Sequence, residues 1–151
     1  MLVKLLKYIV LVICLTGCKK CRDCKQSEIQ GDIVSLYNNS YCFNGGTKGE
    51  EYHIRDTANL IKLLKTYNCD TNSMINIDFS KHVLLGKYMQ RGGCNVTYIK
   101  NVVIDNQKMS VKYSIYSCTK GTCAKLIGSH NFVIVPKFPS NYNLSFETKN
   151  Y

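Results

Sequence analysis

Residues 94–115 constrain the fold more than any other stretch. Cys94, Val96, Tyr98, Val102 and Ile104 fall on one side of an extended chain, and Val111, Tyr113 and Ile115 on one side of the next. That period of two describes paired strands with a single apolar face. A two-residue turn at Asp105-Asn106 sets the expected register. Val102 then faces Met109, Tyr98 faces Tyr113 and Val96 faces Ile115. Apolar side chains meet apolar ones throughout, and a shift of one residue would place them on opposite faces. Asp and Asn both tolerate the positive φ that tight hairpin turns require.

The rest of the chain adds short strands and one helix. Asp32–Tyr37, Glu51–Ile54, Met74–Phe79, Val83–Met89 and Phe132–Val135 read as strands. Leu144 and Phe146 mark a last edge strand. Gln90-Arg91-Gly92-Gly93 reads as a turn or bulge, and Ser117–Cys123 as a further turn. Asp56 is an N-cap signal. After it, Leu60, Ile61, Leu63, Leu64 and Tyr67 recur at helical spacing, which predicts an amphipathic helix over 57–67. The expected class is α+β and mainly antiparallel β, either a meander or a small sandwich. With 151 residues, 45% of them apolar, the chain is too apolar for disorder and too short for two ordinary domains.

The first eighteen residues are of another kind. Lys4 and Lys7 precede an apolar run, Tyr8 to Leu15, far below the ~20 residues of a membrane-spanning helix. The segment reads as a secretory signal. Its end, Leu15-Thr16-Gly17-Cys18, resembles a bacterial lipobox. In such signals the Cys thiol receives a diacylglycerol and cleavage makes that Cys the first residue. The resemblance implies a signal peptide at 1–17 and lipidation (diacylglycerol, palmitate) at Cys18; the polar, aperiodic stretch Lys19–Gln30 then reads as a tether, 18–30, and the remaining length suits one domain at 31–151. Cleavage would lower the formal charge from +10 to +8. The lysines are scattered rather than interleaved with aromatics, so nucleic acid is not an expected partner. The membrane, reached through the lipid, is. Lys19-Lys20 stand where surface-exported lipoproteins often carry acidic residues, which points to a periplasm-facing location in the cell envelope.

Export also decides how the cysteines are read. Past Cys18 there are seven: Cys21, Cys24, Cys42, Cys69, Cys94, Cys118 and Cys123. An oxidising compartment makes disulfides the default, and an odd number leaves at least one thiol free or paired between chains. In the register above Cys94 lands opposite Ser117, beside Cys118 and Cys123. Three thiols converge and two pair; the expected bridge is Cys118–Cys123, with Cys42–Cys69 following by elimination. Cys21 and Cys24 form a CxxC, but in a charged tether rather than at a helix start. Neither a second CxxC nor a nearby His completes a zinc set, so no metal or other cofactor is expected.

From about Ile54 to Lys137 the pattern resembles a known family. A helix is followed by Asp78-Phe79-Ser80, then Gly92-Gly93 opening a strand, then a late segment ending Val135-Pro136-Lys137. This resembles the C-terminal domain of the protease-complex subunit PrcB and the small lipoproteins that share it. Two departures are the Val in that final triplet, where the family ends "IPK", and His130, where the family often has Pro. The resemblance implies a non-catalytic domain that supports a partner protease, with no catalytic residues to carry over.

The catalytic inventory agrees with that. His53, His82 and His130 lie on or beside strands as structural or rim residues. Ser129 and His130 are strand neighbours pointing to opposite faces, and Asp78 and Glu147 suggest no carboxylate pair. The expected function is therefore a lipid-anchored, non-enzymatic protein-binding or protease-accessory module with an envelope protein as partner. The first alternative is an envelope thiol–disulfide redox protein using Cys21 and Cys24 or the Cys94, Cys118 and Cys123 group. The second is a small-ligand-binding lipoprotein using tyrosines near Tyr88, Tyr98 and Tyr113.

Overall fold

Val83 to Met89 is buried at every position, which is the signature of a strand covered on both faces. A computed structural model describes residues 32–34 (backbone only), 45–72, 74–121 and 123–150. The expected signal and tether, at 1–17 and 18–30, lie outside them. The elements are β1 (Asp32–Val34), β2 (Glu51–Ile54), α1 (Thr57–Thr66), β3 (His82–Gly92), β4 (Asn95–Asp105), β5 (Ser110–Lys120), β6 (Leu126–Pro136) and β7 (Asn143–Asn150). The class is α+β and mainly β.

The strands form two sheets. One has the order β1-β6-β3-β2, antiparallel throughout. The other has the order β4-β5-β7, in which β4 pairs antiparallel with β5 and β7 runs parallel to it. The architecture is thus not the simple meander. Gly92-Gly93-Cys94 carries the chain from the first sheet to the second, so β3 and β4 are consecutive without being paired. The expected edge strand is β7.

Three layers result. Val83, Leu85, Met89, Val133 and Val135 from the four-stranded sheet meet Val102, Val111, Tyr113 and Ile115 from the three-stranded one. The alternate residues, Leu84 and Phe132 with Tyr52 and Ile54, face Leu60 and Leu64 of α1. Helix α1 starts as expected: the Asp56 carboxylate accepts from the Asn59 backbone N–H at 2.7 Å. Its Leu60 and Leu64, one turn apart, are the fully covered side chains.

Two expectations need correction. Residues 75–78 are not a strand. Their apolar side chains, with Ile77 buried, cover the α1 side of the core, and Asp78 takes the Ser80 N–H and hydroxyl into a turn instead of a ladder. The β4–β5 register also differs. Asp105 pairs with Ser110, so the turn holds four residues rather than two. The Asp105 carboxylate accepts from the Lys108 N–H at 2.9 Å, and Met109 takes the positive φ, 47°. Val102 therefore faces Tyr113 and Tyr98 faces Ser117. Each strand has moved by whole two-residue steps, so the apolar face predicted from alternation survives while its partners change.

Candidate functional site

Cys18, Cys21, Cys24 and Cys42 lie outside the described residues. Cys94 is bonded to Cys123, with a Cα–Cα distance of 4.6 Å. Cys69 and Cys118 are disulfide-bonded too, so Cys118 is not the partner of Cys123. The longer turn explains the correction. It brings Asn95 opposite Lys120, so Cys94 sits just past the last pair, beside Gly121 and the turn that carries Cys123. Cys118 lies opposite Thr97, on the row turned away from the intersheet core. Thus Cys94, Cys118 and Cys123 are all oxidised.

The histidines are separated. His53 stacks on Phe138, with ring centroids 5.5 Å apart. His82 stays at the start of β3 beside the Asp78 carbonyl, remote from Cys94 at the strand's far end. Ser129 pairs with Met89 on the intersheet side, whereas His130 pairs with Tyr88 on the α1 side. The three tyrosines proposed for one face are divided likewise. Tyr88 lies with His130, while the Tyr98 and Tyr113 hydroxyls bond the Ile127 and Asn131 carbonyls between the sheets.

The polar cluster with most chemistry surrounds His130. Its Nε2–H donates to the Gly45 carbonyl at 2.6 Å, and Nδ1 lies 3.3 Å from the Tyr52 hydroxyl. The Tyr52 and Tyr67 hydroxyls are 2.9 Å apart, and Tyr67 donates to Glu50 Oε2 at 3.0 Å. The imidazole also packs on Tyr88 and Phe132. β2, β3, β6, the end of α1 and the 45–50 loop each contribute. Gly46 lies flat on the Tyr88 ring, where a Cβ would come within 2.7 Å.

Counting protons shows what this chain can do. Three gaps run from His130 through Tyr52 and Tyr67 to Glu50, but the two tyrosines supply only two protons. Tyr67 donates to the carboxylate, so with neutral His130 the Tyr52 proton serves either Tyr67 or Nδ1. Protonation at Nδ1 would let the imidazole donate to Tyr52 and Tyr52 to Tyr67, filling all three. Burial opposes that step and holds His130 below its usual value of 6.5, against smaller upward pulls from the Gly45 carbonyl and the Glu50 carboxylate. Burial, with the neighbouring tyrosine and Glu50, pushes Tyr52 upward, so it stays a donor.

A pH dependence follows. The unfolded imidazole binds its proton before the folded one does, so stability is full above about pH 6.5 and falls as pH drops through the lowered folded value. His53 has the same sign, from burial and then Arg55. Chemical denaturation between pH 7.5 and 5 should show this decline, and His130→Gln should flatten part of it. An unchanged slope in that variant would refute the assignment.

In the sequence His130 reads only as a structural or rim residue. Its partners lie up to 85 positions away. The Tyr88–His130 pairing needs the β3–β6 register, which no local pattern reveals. Among the described residues no group of His, Cys, Asp and Glu is arranged to hold a metal. No protein-family model, curated protein or solved structure matches the chain.

Proposed function

We propose that this chain is a lipid-anchored lipoprotein of the bacterial cell envelope whose domain is a non-catalytic protein-binding or protease-accessory module. The observation that carries the reading is Leu15-Thr16-Gly17-Cys18 after a short basic and apolar leader. The oxidised Cys69, Cys94, Cys118 and Cys123 fit an exported chain. The accessory role rests on the resemblance to the PrcB C-terminal domain. Acylation anchors by adding about 0.8 kcal/mol per buried CH₂, so two or three chains hold a protein without a spanning helix.

In cells fed an alkyne palmitate analogue, the wild-type chain should be labelled and sediment with membranes. Cys18→Ala should lose the label and most of the membrane-bound fraction. A variant that still sediments while the wild type carries no label would end this reading. Crosslinking in native membranes should then yield a stoichiometric protein partner. The redox alternative uses Cys21 and Cys24 or the Cys94, Cys118 and Cys123 group, whose disulfides would be the oxidised form of such a site. Its test is turnover in an insulin-reduction assay.

A further inference from the structure

The disulfide-bonded cysteines among the described residues differ in how far solvent reaches them. Cys69 is 8% exposed under α1, and Cys118 is 4% exposed in β5. Cys94 and Cys123, which hold each other, are both exposed. Their bond lies at the corner where β3 passes to β4 and β5 leads to β6. Glycines leave that corner open. Gly92 and Gly93 precede Cys94, and Gly121 lies against its sulfur, where a Cβ would come within 2.6 Å of Sγ. Thiol–disulfide exchange is attack by a thiolate on a sulfur, so access decides which bond reacts.

The charge around this corner has one sign. Lys120 pairs with Asn95, the neighbour of Cys94, and the Lys125 carbonyl accepts the Gly93 N–H at 2.9 Å. Both lysines are exposed, and neither is ion-paired to a described residue. Arg91 adds a third cation, fixed by donation from Nε to the Ser117 hydroxyl at 3.0 Å. From Phe79 to Phe146 the chain has one carboxylate, Asp105. It stands at the other end of the eleven-residue β4, about 33 Å from Asn95. Glu147 is engaged by Lys112 and Lys149. Positive charge draws in an anionic thiolate and stabilises the thiolate that leaves.

We propose that the Cys94–Cys123 bond is a thiol-exchange site that takes anionic thiols at this open, basic corner. The attacking thiolate bonds to one sulfur, the Cys94–Cys123 bond breaks, and its electron pair stays on the other sulfur. That sulfur leaves as a thiolate beside Lys120 and Lys125 and takes a proton from water. The product is a mixed disulfide and one thiol. A second thiol of the same class then displaces the first as a disulfide, so two thiols are oxidised and both cysteines end reduced. Exchange unties the open end of the β4–β5 hairpin, which couples a thiol's redox state to the stability of the three-stranded sheet. The proposal deepens the redox alternative by naming its exchanging bond. It is separable from that reading, because exchange is one event at one bond whereas the alternative requires turnover. It needs neither acylation nor a protein partner.

The test uses full-length oxidised protein incubated with reduced glutathione under native conditions, alkylated at intervals and digested with trypsin. Peptides 92–100 and 121–125 are joined at the start. They should separate about tenfold faster, or more, than alkylation reaches Cys118 in peptide 113–120 or Cys69 in peptide 66–81. Alkylation of Cys118 or Cys69 before the two peptides part overturns the site. The charge preference is read by intact mass, as the ratio of the rate with glutathione, an anion, to the rate with cysteamine, a cation. Lys120→Gln combined with Lys125→Gln should lower that ratio several-fold, and so should high salt. A general loosening of the fold speeds both reagents and cancels in the ratio. A ratio that neither change moves overturns the preference for anionic thiols. Exchange without turnover of insulin supports the site and removes the redox-enzyme reading.

Discussion

Gly86→Ala is expected to destabilise the protein by about 3 kcal/mol or more. Gly86 lies in the middle of β3, paired with Tyr52 on one side and Phe132 on the other. A Cβ built there would sit 2.4 Å from one Phe132 ring carbon and 2.5 Å from another, with Tyr52 at 3.1 Å. The Phe132 ring is 3% exposed and packs on Tyr52 and His130, so it has little room to retreat. The missing side chain makes space for both aromatic rings. In a domain of this size the loss should lower Tm by on the order of 10 °C. Thermal unfolding followed by circular dichroism measures it. Gly86→Ala combined with Phe132→Leu should recover part of the loss, because the smaller side chain vacates the contact. A single variant within 1 °C of wild type would show that the ring moves freely.

Replacing Cys94 and Cys123 together by Ser should cost roughly 3–4 kcal/mol, since the bond closes a segment of 29 residues and restricts the unfolded chain. The hairpin has its turn at Asn106–Met109, and the disulfide ties the opposite, open end, where the ladder stops at Asn95 and Lys120. Denaturant titration should show a lower midpoint. Hydrogen exchange should be fastest near Val96 and Thr119 rather than near Val102 and Val111. Gly121→Ala probes the same corner. Gly121 has φ 76°, and an added Cβ would lie 2.6 Å from Cys94 Sγ. Unchanged stability in the double Ser variant would mean that the sheet holds this end unaided.

Several elements were legible in advance because each depends on near neighbours. Asp56 followed by Leu60 and Leu64 marks a helix whether or not anything packs on it. Alternation from Val96 to Ile104 fixes one buried face of β4 whatever strand lies opposite. The Met74–Phe79 run misled because alternating apolar residues also suit a segment laid over a helix, without a ladder. The hairpin misled in register but not in face, since a turn of two residues and a turn of four preserve the same alternation. The cysteine pairing followed the register, so the expected Cys118–Cys123 bridge failed with it.

By itself the sequence determined the mainly β class, the helix and its cap, the inward faces of the strands and the odd number of cysteines beyond Cys18. These are set by side-chain type and spacing within a few residues. Only the tertiary structure decided that β3 and β4 part into different sheets, that β7 runs parallel to β5, that Cys94 takes Cys123, and that His130 meets Tyr52, Tyr67 and Glu50. Those pairings join residues tens of positions apart. Their energies come from packing and proton sharing that exist only once the layers have closed.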